Sequence, residues 1–170
     1  MQQTYQQTLA APVIYSGIGL HSGKNVNMCM LPAEIDTGIV FVRTDLPDKP
    51  EISAKPANVS STLKATTLSE NGAEVFTVEH LMAALSMLSI DNCRIEMDSP
   101  EPPVTDGSSG VFADLILQAG RKTQEAPKKV YALDRAFAVH QDDRYICILP
   151  YDGYRISFTS INPHPLLGTQ

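Results

Sequence analysis

Cysteine is scarce in this sequence and shows no pairing pattern: Cys29, Cys93 and Cys147 are odd in number, far apart and without a Cys-x-x-Cys pair. That excludes a disulfide framework and suits reduced thiols in a cytosolic protein. Positive charge is also short. Thirteen Lys and Arg stand against nineteen Asp and Glu, a net charge of -6, and no basic cluster is longer than Lys128-Lys129. This balance argues against nucleic acid or an anionic membrane surface as a partner, while specific anionic ligands stay open. Long apolar runs are missing as well, since no window approaches the roughly 20 residues of a membrane-crossing helix. The opening Met1-Gln2-Gln3-Thr4-Tyr5 has neither the basic region nor the apolar core of a signal peptide. The expectation is a soluble, cytoplasmic chain with no transmembrane segment. No Gly-x-Ser-x-Gly elbow is present and no Cys stands beside a His, which leaves covalent catalysis without support.

What is present is a globular composition: 170 residues, 43% hydrophobic and 19% charged, enough for one well-buried domain or two small ones. Strand-like runs occur at Val26–Met30 and Ile39–Val42, and the turn formers Pro32–Gly38 between them predict a hairpin with a wide loop. A second hairpin is predicted around Asn71-Gly72, flanked by Thr66-Thr67-Leu68 and Glu74-Val75-Phe76. A helix is expected from Thr77, as N-cap, to Leu88, with Leu81, Ala84, Leu85 and Leu88 on one face. Cys93–Met97 alternates as a half-buried strand, and a second helix runs from about Ser109 to Ala119 with Gly120 at its end. Gln124–Lys129 reads as a linker. Beyond it, Tyr145–Pro150 parallels Asn27–Pro32, and Tyr154–Thr159 follows Gly153 as the Ile39 run follows Gly38. Residues 1–126 therefore read as one domain and 127–170 as a linker with the opening strands of a second, similar and incomplete one. Chance similarity is the alternative.

Glu79-His80 is the sharpest chemical feature, because the first turn of a helix gathers unpaired N–H groups and the positive end of the dipole, where an anion is stabilised. An imidazole can ligate a metal and a neighbouring carboxylate can take a proton from water, which is the division of labour in hydrolytic zinc sites. Such a pair at a helix start serves more often as capping and surface, and His21, His140 and His164 form no His-x-x-x-His cluster to complete a site. The glycine-rich Ser16–Lys24 lacks the spacing of a phosphate loop and reads as a hairpin with unusual backbone angles. Asp106-Gly107-Ser108-Ser109 reads as a turn and N-cap, with a buried Asp106 orienting another group as the minority reading.

Gly17-Ile18-Gly19-Leu20-His21-Ser22-Gly23, Thr77–Leu85, Ile90-Asp91-Asn92 and Pro100–Ser108, with Arg43–Leu46 and Asn162–Pro165, occur in an order and spacing that resemble the UDP-3-O-acyl-N-acetylglucosamine deacetylases. The resemblance spans nearly the whole chain. It implies a cytoplasmic zinc hydrolase of lipid A biosynthesis that removes acetate from an acylated UDP-glucosamine. It also implies an α+β fold of two similar domains, each a sheet with two helices, which agrees with the repeat. By position, Glu79 matches the general base and His80 the first zinc ligand, while His21 and Asp106 match positions near the site. Ser61–Thr66, with Leu63, matches a loop bordering it, and Lys64 stands where an apolar residue is expected. The family's other zinc ligands, a His and an Asp one helical turn apart, and a further catalytic His match nothing before Gln170. The 170-residue chain alone is therefore expected to be inactive, and the alternative function is a non-catalytic binding or interaction domain.

Overall fold

The computed structural model describes residues 4–170, and they form two units, one ending at Lys128 and the other spanning Lys129–Gln170. In chain order the first unit contains β1 (Tyr5–Leu9), β2 (Val13–Ile18), β3 (Asn25–Pro32), β4 (Ile39–Arg43), β5 (Glu51–Ser53), β6 (Val59–Ser61), β7 (Thr67–Glu70) and β8 (Ala73–Phe76). It continues with α1 (Glu79–Met87), β9 (Cys93–Met97), α2 (Gly110–Ala119) and β10 (Arg121–Pro127). The fold class is α+β, as the family resemblance implies.

The main sheet runs β2-β3-β9-β4-β5, and its core face meets both helices. Strand periodicity explains which side is inward: Val26, Met28 and Met30 of β3 and Cys93, Ile95 and Met97 of β9 alternate into the core. Leu81, Ala84 and Leu85 of α1 and Phe112, Ala113 and Ile116 of α2 cover them at helical spacing. Leu88 and Leu115 pack against this core only partly buried. The Asn71-Gly72 hairpin forms as β7 and β8, and both turn residues hold the positive φ, 53° and 74°, that a tight hairpin turn requires. No helix among the described residues is long and apolar enough to cross a membrane.

Four expectations need correction. The Val26 and Ile39 runs form strands, but they do not pair with each other. β9 lies between them, antiparallel to β3 and parallel to β4, because its fully buried Cys93, Ile95 and Met97 belong at the centre of the sheet. The Gln124–Lys129 linker shrinks to its last two residues, between which the units divide, since Gln124–Pro127 lies in β10, which pairs with β1 from Leu9↔Arg121 to Tyr5↔Pro127. Buried polar side chains hold this pairing: Asn92 Nδ2 donates to Gln6 Oε1 and to Gln124 Oε1, both at 2.8 Å. Thr77 caps nothing, for the N-cap position of α1 is Val78 and has no side-chain capping bond. Tyr154–Thr159 is not a strand. In the first unit β4 takes its ladder from β9 and β5, and Lys129–Gln170 supplies no strand in that role. That second unit holds the hairpin β11 (Phe137–Gln141) and β12 (Arg144–Ile148), turning at Asp142, φ 53°, with His140 and Tyr145 stacked at 5.8 Å.

Because β9 is the central strand, Ile95→Ala is expected to lower the unfolding free energy by about 2–5 kcal/mol, the usual range for emptying an aliphatic core site. Urea denaturation of both proteins checks this. A loss below about 1 kcal/mol would place Ile95 outside the packed centre.

Candidate functional site

Glu79 and His80 open α1, both partly buried. Glu79 is held from the side: its Oε2 accepts the Thr66 N–H at 3.0 Å, which fastens the Ser61–Thr66 loop to the start of the helix. At the outer end of that loop Leu63 is 82% exposed, an apolar side chain offered to solvent, and Lys64 takes a left-handed φ of 64°. The structure thus joins the Leu63 loop to Glu79 through one backbone bond.

His21 reaches the same neighbourhood by another route. It lies in the β2–β3 connection, where Gly19 N–H donates to Lys24 O and Gly23 N–H to Gly19 O. The expectation of unusual backbone angles holds at Gly23, φ 62°, but Gly17 and Gly19 are required for space. A Cβ on Gly17 would lie 2.9 Å from Pro103 Cβ, and one on Gly19 would lie 2.5 Å from Glu101 Oε2 and collide with Ser22 Oγ.

Glu101 is the residue the sequence did not single out. It is completely buried, and its carboxylate accepts the His21 N–H at 3.0 and 3.1 Å, the Ser22 N–H at 2.8 Å and the Thr77 hydroxyl at 2.8 Å. Burial pushes such a group up, yet the His21 and Ser22 N–H groups, with the Thr77 and Ser22 hydroxyls, outweigh it and hold Glu101 below the usual carboxylate range. Thr77 donates its hydroxyl to Glu101, and with its φ at 58° and Val78 in the N-cap position its side chain stands outside the capping geometry of α1. The available signal was a carboxylate between prolines in Pro100-Glu101-Pro102-Pro103.

Asp106 is exposed and does not touch Glu79, His80 or His21 through any hydrogen bond. Its Oδ1 accepts the Ser108 hydroxyl at 2.8 Å and the Ser108 N–H at 2.9 Å, and these bonds hold its carboxyl below the ordinary range. The turn it organises leads into α2 through Ser109, which holds the N-cap position without a side-chain capping bond, so the turn is present, the capping bond is not, and Asp106 is exposed rather than buried. Among the described residues no three His, Cys, Asp or Glu side chains stand together as a metal-binding group. His80 offers an imidazole of the kind that can ligate a metal and Glu79 a carboxylate of the kind that can take a proton from water.

The depressed Glu101 carboxyl contributes stability that is fully present above its unfolded value, about 4.3, and is lost as pH falls through the lower folded value. Glu101→Gln should therefore be less stable than the native protein at neutral pH, with the gap narrowing below about pH 4. Denaturation midpoints between pH 3 and 7 check this, and a gap that stays constant with pH would show that no charge is held at Glu101.

Sequence comparison places these features in context. Residues 6–170 match the family profile described as LpxC, UDP-3-O-acyl N-acetylglycosamine deacetylase. The UDP-3-O-acyl-N-acetylglucosamine deacetylase of Hahella chejuensis is 43% identical over 162 residues, 95% of this chain and 54% of that protein. That of Pseudomonas entomophila is 44% identical over 165 residues, 97% of this chain and 54% of the relative. The bifunctional enzyme LpxC/FabZ of Chlorobaculum tepidum is 42% identical over 168 residues, 98% of this chain and 36% of the relative. The chain thus spans about half the length, or less, of these curated relatives. With a profile match across both units and identities above 40%, the chain belongs to the UDP-3-O-acyl N-acetylglycosamine deacetylase family.

Proposed function

We propose that the protein hydrolyses the N-acetyl group of an acylated UDP-N-acetylglucosamine in lipid A biosynthesis, a zinc-dependent deacetylation to which this chain contributes Glu79 and His80. The observation that carries the reading is the pair itself: adjacent residues in the first turn of α1, with the Glu79 carboxylate tethered at one oxygen by Thr66. Family membership supports the substrate.

In this mechanism Glu79 acts as general base. The tether leaves Oε1 free of that backbone bond, so one carboxylate oxygen fixes the orientation while the other accepts a proton from the attacking water. The oxygen of that water bonds to the amide carbonyl carbon, the carbon–nitrogen bond then breaks, and the proton held by Glu79 passes to the departing amine. Acetate and a free amino sugar result. Residues adjacent on a helix point about 100° apart, which lets Glu79 face the reacting water while His80 serves as a metal donor. Zinc, when bound, would supply Lewis-acid polarisation, with its remaining donors outside residues 4–170. Asp106 and His21 border the site in this reading, and Leu63 offers an apolar surface beside it.

The thiols support a reducing, cytoplasmic setting. Cys29, Cys93 and Cys147 are all free, and burial pushes the Cys93 thiol up to about 12. Among the described residues no three metal-ligating side chains group together, so in this reading activity belongs to the complete protein.

In the complete protein, Glu79→Gln is expected to retain zinc while turnover falls roughly 100-fold or more. His80→Ala should lose metal and activity together. Zinc content, melting temperature and acetate release, measured for both, check the roles. An active Glu79→Gln protein would sink the mechanism. For residues 1–170 alone, dialysis should leave little zinc, and stoichiometric retention would show that this segment completes a site by itself.

A further inference from the structure

The start of α1 is an unusual place to put residues that must be aimed. It lacks a side-chain cap, and it is entered through Thr77, a β-branched residue in the left-handed region at φ 58°. Such a backbone costs on the order of 1 kcal/mol or more and persists only where its surroundings impose it. The surroundings that impose it come from one segment. Pro100 O accepts the Phe76 N–H at 2.9 Å, and Glu101 Oε1 accepts the Thr77 hydroxyl at 2.8 Å, so consecutive residues grip the two positions that lead into Val78, Glu79 and His80. The same carboxylate fastens the β2–β3 connection through His21 and Ser22, and the next link, Val104 N–H to Ile18 O at 2.9 Å, ties this segment to the end of β2.

We propose that Glu101 is a positioning residue: through the Thr77 hydroxyl it sets the direction in which Glu79 and His80 leave the chain, and through the His21 and Ser22 N–H groups it locks the His21 loop to the same point. This rests on the function proposed above. The His21 and Ser22 N–H groups and the Thr77 and Ser22 hydroxyls converge on two carboxylate oxygens, and only a charged, doubly accepting group of this length meets them all. Glutamine offers one acceptor oxygen and turns an NH₂ group toward N–H donors, while aspartate is one methylene short. Gly19 belongs to the device, because any side chain there would displace the carboxylate.

The test uses the complete protein and the variants Glu101→Gln, Thr77→Val, Thr77→Ser and the double variant Glu101→Gln/Thr77→Val. Deacetylation of acylated UDP-N-acetylglucosamine is measured per folded molecule, together with backbone amide exchange. Misaiming by about 1 Å lowers turnover up to about 100-fold. The two single losses of the bond should therefore reduce kcat by about 10- to 100-fold, with KM kept within about twofold. Thr77→Ser should recover most of the turnover that Thr77→Val loses. The double variant should be no slower than Glu101→Gln, since both changes remove one interaction. Exchange should quicken at His21 and Ser22 in Glu101→Gln, and at Phe76 and Met82, whose N–H groups bond to Pro100 O and Val78 O on either side of Thr77, in Thr77→Val.

Native kcat per folded molecule in both single variants would overturn the proposal, as would losses that multiply in the double variant or unaltered exchange at these amides. If Glu101→Gln does not fold, Thr77→Val decides, because it leaves the carboxylate and its other donors in place. The exchange readout needs no substrate. A native protein that releases no acetate defeats the deacetylase reading, and an active Glu79→Gln protein defeats the Glu79 role, neither touching the exchange result; unaltered exchange defeats the Glu101 proposal whatever either shows.

Discussion

β9 has a hydrogen-bonded neighbour on each edge, antiparallel on one side and parallel on the other, and the placement of everything chemical follows from it. A parallel neighbour cannot be reached by a tight turn, so the chain between β4 and β9 has to travel over the sheet, and α1 belongs to that crossover. The helix bearing Glu79 and His80 enters the core just before β9, and the segment bearing Glu101 leaves just after it. With Cys93, Ile95 and Met97 pinned by burial, a slip of one residue would turn Arg94 and Glu96 inward and break their ion pairs, including the one between Arg94 and Glu51. Register at β9 thus fixes the two ends of the Glu101–Thr77 bond.

Burying a carboxylate is unfavourable unless hydrogen bonds compensate, and Glu101 shows how the compensation was arranged. Its donors come from two separate stretches of chain, the β2–β3 connection and the residue two before Glu79. Either stretch alone would satisfy the group less well. The charge therefore favours one arrangement of both, which is what a site assembled from loops needs from its interior.

How much of this was legible depends on which force decides each element. Apolar periodicity revealed both helices and β9, because burial there follows the spacing of Leu81, Ala84, Phe112, Ile95 and their neighbours, and the Asn71-Gly72 turn signal revealed the β7–β8 hairpin. It failed at β1 and β10. Gln6, Thr8 and Gln124 are held there by side-chain hydrogen bonds to Asn92 and Ala33, and polar strands carry no alternation of hydrophobicity to read. The pairing of β3 was misjudged for a different reason: a strand close in sequence is the default neighbour, and only the full burial of β9 reveals the insertion. At the site, Glu79 and His80 were visible as chemistry at a helix start. Glu101 was not, because a carboxylate shows its worth only through donors that the fold brings from far away in the chain.

The β1–β10 pairing has a consequence for how the first unit comes into being. Its strands stand at opposite ends of that unit, Leu9 opposite Arg121 and Tyr5 opposite Pro127. Such a contact closes a very large loop and contributes to a high contact order, which slows folding. On a ribosome adding about 5–20 residues per second, β1 emerges roughly 6–24 s before its partner exists. During that interval Gln6 and Thr8 lack the neighbours that later satisfy them, and the polarity that hid this strand from pattern reading keeps it hydrated and discourages it from pairing with another chain.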